Sequence, residues 1–256
     1  MKTNILPMYL RELRAIFYSP VAWIVLFAYY LLAGYFWVAL EGHYAYYSIM
    51  MASRGGGGQE MKLADYLIEP YFGNVTVTFL FLLPLVSMRQ LSEEKKSGTI
   101  EILFTWPFSD LDIVLGKWFA SLTLLAAMLV PTLIDFLLIA DKAAVPWAVV
   151  ASGYTGIFLV GACYLAVGLF TSSLTENQVV AAALSFGALL LLFVINWIEP
   201  NTSGAVKALI GQLSITGHSQ DLTKGLVNLK DIVYFILFTV LMLFGTLRVL
   251  ESKKWR

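Results

Sequence analysis

Three long stretches of this chain carry no charged side chain at all: Ala15 to Leu40, Ala143 to Thr175 and Asn177 to Ile198. About 20 mostly apolar residues suffice for a helix to cross the hydrocarbon of a bilayer. In that medium every backbone N–H and C=O must be satisfied within the segment, and without period-2 alternation a barrel is excluded, so such runs must be helices. Six spans follow, near 21–40, 71–89, 113–140, 146–171, 177–198 and 231–250. Composition agrees: 59% of the residues are hydrophobic and 13% charged, against roughly half and a quarter in soluble proteins. The expected fold is all-α, one polytopic membrane domain over 1–256.

An even number of spans puts both termini on one side. If that side is cytoplasmic it holds Lys2, Arg11, Arg14, Arg89, Lys95, Lys96, Lys117, Arg248, Lys253, Lys254 and Arg256, while the other holds Arg54, Lys62, Lys142, Lys207, Lys224 and Lys230. The positive-inside bias therefore favours both termini in the cytoplasm. Trp23, Trp106, Trp118 and Trp255 then fall at inner ends, and Trp37, Trp147 and Trp197 at outer ends. The first apolar run follows a charged, structured start and lacks a small-residue cleavage site, so it reads as a retained span.

Residues 4–19 read as an amphipathic interfacial helix, with Leu6, Leu10, Leu13 and Phe17 on one side and Arg11, Glu12 and Arg14 on the other. Ser19-Pro20 redirects the chain, and Pro suits the first turn of a new helix. The first outer loop, 41–69, contains Gly55–Gly58, read as a flexible linker because no Lys-Ser follows as a phosphate-cradling loop requires. Residues 59–69 are expected to form a short surface helix. In the last outer loop, AVKALIGQLSI is expected to fold back as an amphipathic or re-entrant helix.

The polar segment between spans two and three, 90–108, is the best organised. Span two is expected to continue past Met88 into a helix carrying Arg89, Glu93, Glu94, Lys95 and Lys96, which Gly98 ends. Thr99 is placed to cap a second short helix with Glu101 in its first turn. Ile100, Leu103 and Phe104 form its apolar stripe, Pro107 stops it, and Ser109 with Asp112 reads as a capping box opening span three. A polar face over an apolar one suits docking of a cytoplasmic partner.

Few residues offer chemistry. The single Cys163 allows no intrachain disulfide, and His43 and His218 are far apart, so no metal site is expected. Asp135 is a carboxylate well inside a span, a pathway candidate by default, although it lies near the outer end, four residues after Pro131, where it could instead bond a freed backbone group. Small pairs such as Ser152 with Gly156 and Ala181 with Ser185 permit close helix approach. A secondary transporter would show internal repeats and midplane polar residues, and an intramembrane hydrolase would need a serine or paired acids with a histidine at matching depth. Both remain as alternatives.

Three stretches, RELRAIFYSPVAW at 11–23, LPLVSMRQLSEEKKSGTIEILFTWPFSDLDIVLGKW at 83–118 and HSQDLTKGLVNLKDIVYF at 218–235, resemble the six-span permease subunits of type 2 ABC transporters. The branch most similar is that of gliding-motility and nitrous-oxide-reductase-maturation permeases. The resemblance implies an inner-membrane permease, not itself an enzyme, working as two permease subunits, identical or paralogous, with two separate ATPase subunits that bind ATP and Mg. Export is the implied direction, and force transmission to a periplasmic or membrane accessory protein is the alternative. Residues 4–19 would be the interfacial connecting helix. Glu93, Glu94, Gly98, Thr99, Glu101 and Phe104 would form the ATPase-coupling interface, joined by Thr175 and Glu176 in the turn 172–178. Spans one and five of facing copies would meet, with Trp23 and Phe27 against Ala181 and Ser185. Membrane lipid is the surrounding partner, and no nucleic acid is implied.

Overall fold

The structure is a computed structural model that describes residues 5–53, 62–105, 108–198, 211–212 and 214–254. The Gly55–Gly58 tract, Trp106, Pro107, Trp255, residues 59–61 and most of AVKALIGQLSI lie outside the described residues. Ten α-helices are named here: α1 (Ile5–Tyr18), α2 (Pro20–Ser53), α3 (Glu69–Ser87), α4 (Arg89–Lys96), α5 (Thr99–Thr105), α6 (Asp110–Ala140), α7 (Trp147–Leu174), α8 (Gln178–Ile198), α9 (Ile215–Thr223) and α10 (Leu229–Lys254). Among the described residues there is no strand. Six segments, beginning at Pro20, Ala64, Asp110, Trp147, Gln178 and Leu229, are long and apolar enough to cross a membrane. The fold is thus all-α and polytopic.

Two boundaries differ from the sequence reading. Helix α2 runs 34 residues to Ser53, roughly 50 Å at 1.5 Å per residue, so 41–53 is helix rather than loop. Polar and aromatic residues beyond Leu40 mark departure from the hydrocarbon, which is not a signal for ending a helix. Trp37 is accordingly no interfacial anchor: it is buried, with its ring 4.7 Å from that of Phe136 and 5.4 Å from that of Tyr71. Before α3, Ala64–Ile68 forms a π-helical turn whose Leu67 and Ile68 are fully buried. This part of the expected surface helix belongs to the core.

Helix α7 is the most enclosed span, and its glycines explain why. A Cβ at Gly153 would lie 2.1 Å from the Phe72 ring, at Gly156 2.8 Å from Leu222, at Gly161 2.7 Å from Leu125 and at Gly168 1.8 Å from Ser87 Oγ. Helices α3, α6 and α9 therefore each seat a side chain where α7 has none, the close approach that small residues permit in lipid. The Ser152–Gly156 pair serves packing within the chain.

Proline leaves a second mark. Pro131 inside α6 cannot donate to the carbonyl of Ala127. The hydroxyl of Tyr30, on α2, donates to that carbonyl instead. Asp135 is therefore not the group that satisfies the freed backbone.

Candidate functional site

At the end of the bundle where α3 gives way to α6, four helices form a polar assembly. Helix α3 stops at Ser87 and α4 begins at Arg89. The Ser172 hydroxyl, near the end of α7, accepts from the backbone N–H of Leu91 (3.1 Å) and Ser92 (3.0 Å) and donates to the Met88 carbonyl (2.8 Å). A side chain from another helix thus satisfies donors that a helix start leaves open. Lys95, buried on α4, adds a hydrogen bond from Nζ to the Ser173 carbonyl.

Beyond Lys96 the chain turns through Gly98, whose φ of +70° is the left-handed conformation that glycine adopts without strain. Helix α5 then returns with Ile100 and Leu103 buried and Glu101 exposed. Ile100 joins Leu91, Val114 and Leu169 in one apolar cluster, and Leu103 joins Met8 and Ile113 in another. The capping box at α6 is complete: Ser109 Oγ accepts from Asp112 N–H at 3.1 Å, and Asp112 Oδ2 accepts from Ser109 N–H at 3.0 Å. The Thr99 hydroxyl stands at the start of α5. It turns back to Ser97 Oγ (2.8 Å) and the Glu94 carbonyl (3.4 Å).

The two glutamates of the acidic pair part company. Glu93 is exposed and forms a two-point pair with Arg89, at 2.9 and 3.2 Å. Glu94 points inward. Its Oε1 accepts from Lys117 Nζ at 2.9 Å, and the same ammonium reaches Glu12 Oε2 at 2.9 Å. Lys117 is 1% exposed, and Arg11 flanks the carboxylates at 3.6 and 3.7 Å. Within the chain Glu94 joins α1, α4 and α6, so of the acidic pair it is Glu93 that stands exposed. Low accessibility makes this pairing necessary, because an uncompensated buried charge costs several kcal/mol.

The network also reorients α1. Met8 and Glu12 face α6, with Gly116 so close to Met8 that a Cβ there would lie 2.7 Å from Met8 Cγ. Leu6 and Leu10 are exposed on the opposite side. Arg11 and Arg14 are exposed as well, so Glu12 is the one charge that α1 turns inward. Sequence reading missed Glu12, Lys117, Arg11 and Ser172. A lysine inside an apolar run is itself a cue to look for buried carboxylate partners.

The second contact predicted at this end is the turn between α7 and α8. Thr175 Oγ1 accepts from Asn177 N–H at 3.1 Å, Asn177 Oδ1 caps α8 through Val179 N–H at 2.9 Å, and Glu176 is exposed. Phe104 lies in α5, but its side chain is outside the described residues. Asp135 is half-buried on α6, in electrostatic reach of the Tyr71 and Tyr154 hydroxyls and far from this assembly. Among the described residues no cluster of three potential metal ligands occurs.

A family model described as ABC-2 family transporter protein matches residues 6–255. The chain belongs to the ABC-2 transporter family. No significant match is found among curated proteins. Family membership together with six apolar helices makes this chain a multi-pass membrane protein and the permease component of an ABC transporter. The ABC-2 assignment covers both the six spans and the polar assembly between α3 and α6.

The pairing expected between permease copies is not supported by where its residues sit. Trp23 and Phe27 are 60% and 70% exposed, as such a contact requires. Ala181 and Ser185 are fully buried within the chain, Ser185 Oγ lying 3.3 Å from the position of a Cβ on Gly168. Their small side chains serve packing against α7. The outward face of α8 is Val179, Leu184 and Leu191.

Proposed function

We propose that this ABC-2 permease is the transport half of an ATP-driven exporter and that the α4–α5 hairpin is where a separate ATPase subunit docks. Two ATPase copies bind ATP and Mg, two permease copies form the path, and both termini face the cytoplasm at the inner membrane. The observation that carries this reading is the contrast within the hairpin. Its tip, Lys96 to Thr99 with Glu93 and Glu101, is exposed, while its base is fastened to α7 by Ser172 and Lys95 and to α6 by Glu94.

An exposed tip on a fixed base transmits displacement, because coupling requires elements that move together between two states. Thr175 and Glu176 add a smaller contact beside it. Trp23 and Phe27 on α2 are the residues offered to a second copy. Asp135, half-buried in α6, is offered to the path.

The test is site-specific photocrosslinking from Ser97 and Glu101, with Thr223 as the control at the opposite end. Crosslinks to an ATPase from both tip positions, absent at Thr223, are expected. Labelling of a Ser97→Cys reporter from the outside of intact cells, with Cys163 first replaced by Ala, would overturn both the docking surface and the orientation.

A further inference from the structure

The elbow between α1 and α2 encloses, with the junction of α3 and α4, a cavity of about 470 Å³, in the size range of small-molecule sites. Its walls differ in kind. Ile16, Val21, Leu85 and Leu124 line it with hydrocarbon, whereas Arg89, Gln90, Glu93 and Glu94 line it with charge and amide. Such a division suits an amphiphile. The position suits one too, because the leucines of α1 face outward and Trp23 sits exposed at the same elbow, its indole N–H donating to the Phe17 carbonyl at 2.9 Å.

The polar wall specifies the head group. Arg89 commits three N–H bonds, two to Glu93 and one to Ser19 Oγ at 3.3 Å. A guanidinium has five N–H donors, so two remain for an anionic oxygen. Gln90 Oε1 and Glu94 Oε2 are buried acceptors without a donor. An unmet buried acceptor is costly, and terminal amide and carboxylate torsions turn readily. The lining contains three carboxylates (Glu12, Glu93, Glu94) and two cations (Arg89, Lys117). With Arg11 beside Glu12 and Glu94 the charges balance, so it is the two open acceptors that call for an N–H donor on the head group.

We infer that the elbow cavity is a binding site for an amine-bearing phospholipid of the phosphatidylethanolamine class, its phosphate at Arg89 and its ammonium toward Gln90 and the glutamates. This site rests on the membrane placement of the chain and not on the docking of an ATPase, which the following experiment omits.

The purified chain is reconstituted in nanodiscs of phosphatidylcholine containing equal small fractions of phosphatidylethanolamine and phosphatidylglycerol, then released into the gas phase for native mass spectrometry. Phosphatidylethanolamine is expected to be retained over both others. Ala15→Trp, an exposed cavity-lining position on α1, should reduce that retention about tenfold by filling space the lipid would occupy. Val38→Trp, on the exposed face of α2 away from the cavity, should leave retention unchanged and controls for lipid held nonspecifically. Equal retention of the three lipids, or retention indifferent to Ala15→Trp, overturns the site. Displacement of the lipid by free phosphoethanolamine at comparable concentration overturns its assignment to a lipid.

Discussion

Replacing Lys117 by Met is the perturbation with the largest calculable effect. The ammonium is 1% exposed and stands 2.9 Å from both Glu12 and Glu94. At an effective dielectric of about 20, each contact is worth roughly 6 kcal/mol of Coulomb attraction. Most of that offsets the desolvation of three buried ions, so the pair contributes little net stability compared with an apolar substitute. Deleting the cation alone is different, since the two carboxylates then keep only half-exposed Arg11, at 3.6 and 3.7 Å, and removing one partner of a buried pair costs about 3–5 kcal/mol. We predict a loss of that size for Lys117→Met, measured by reversible unfolding in mixed micelles, with faster hydrogen exchange along α1. The triple variant Lys117→Met, Glu12→Gln, Glu94→Gln should recover most of it, because no buried charge is left in the network. A loss below about 1 kcal/mol, the range of exposed pairs, would refute the claim that this network fastens α1 and α4 to α6.

Two further outcomes follow from bonds between helices. Tyr30→Phe should destabilise the bundle by about 1–3 kcal/mol by orphaning the Ala127 carbonyl, and the same change in a Pro131→Ala background should cost less, as a double-mutant cycle would show. Ser172→Ala should leave global unfolding nearly unchanged while accelerating exchange at the Leu91 and Ser92 amides by roughly tenfold, the effect of losing a cap worth about 1–2 kcal/mol. Unaltered exchange at both amides would show that α4 holds its first turn without α7.

Local grammar was legible in the sequence. The capping box at Ser109, the turn at Gly98 and the Ile100–Leu103 stripe each depend on residues within four positions of one another, and each is found. The six spans were legible because lack of charge over 20 residues has one structural meaning. What escaped were pairings across the chain: Lys117 is 105 residues from Glu12, and no periodicity encodes that distance. Burial within a face escaped as well. The two sides of α1 were legible, but not that Glu12 alone of its three charged residues is buried while Arg11 and Arg14 stay exposed. Ala181 and Ser185 are ambiguous in another way, since a small-residue stripe fits a neighbour in the same chain or in another copy equally well. The reach of α2 to Ser53 was hidden because polarity announces the edge of the membrane and not the end of a helix.

The four glycines of α7 restrict how this permease can move. Side chains from α3, α6 and α9 occupy positions at four successive depths along one axis, so α7 cannot slide past them without lifting each one out. Screw and piston motions are thereby removed from its degrees of freedom, and rotation about the same axis meets the same obstacles. Helix α2 is held by other means: Val25, Tyr29, Ala33 and Trp37 are buried in the main core, and the Tyr30 hydroxyl ties it to α6. Displacement of any one of α3, α6 and α7 therefore carries the other two with it.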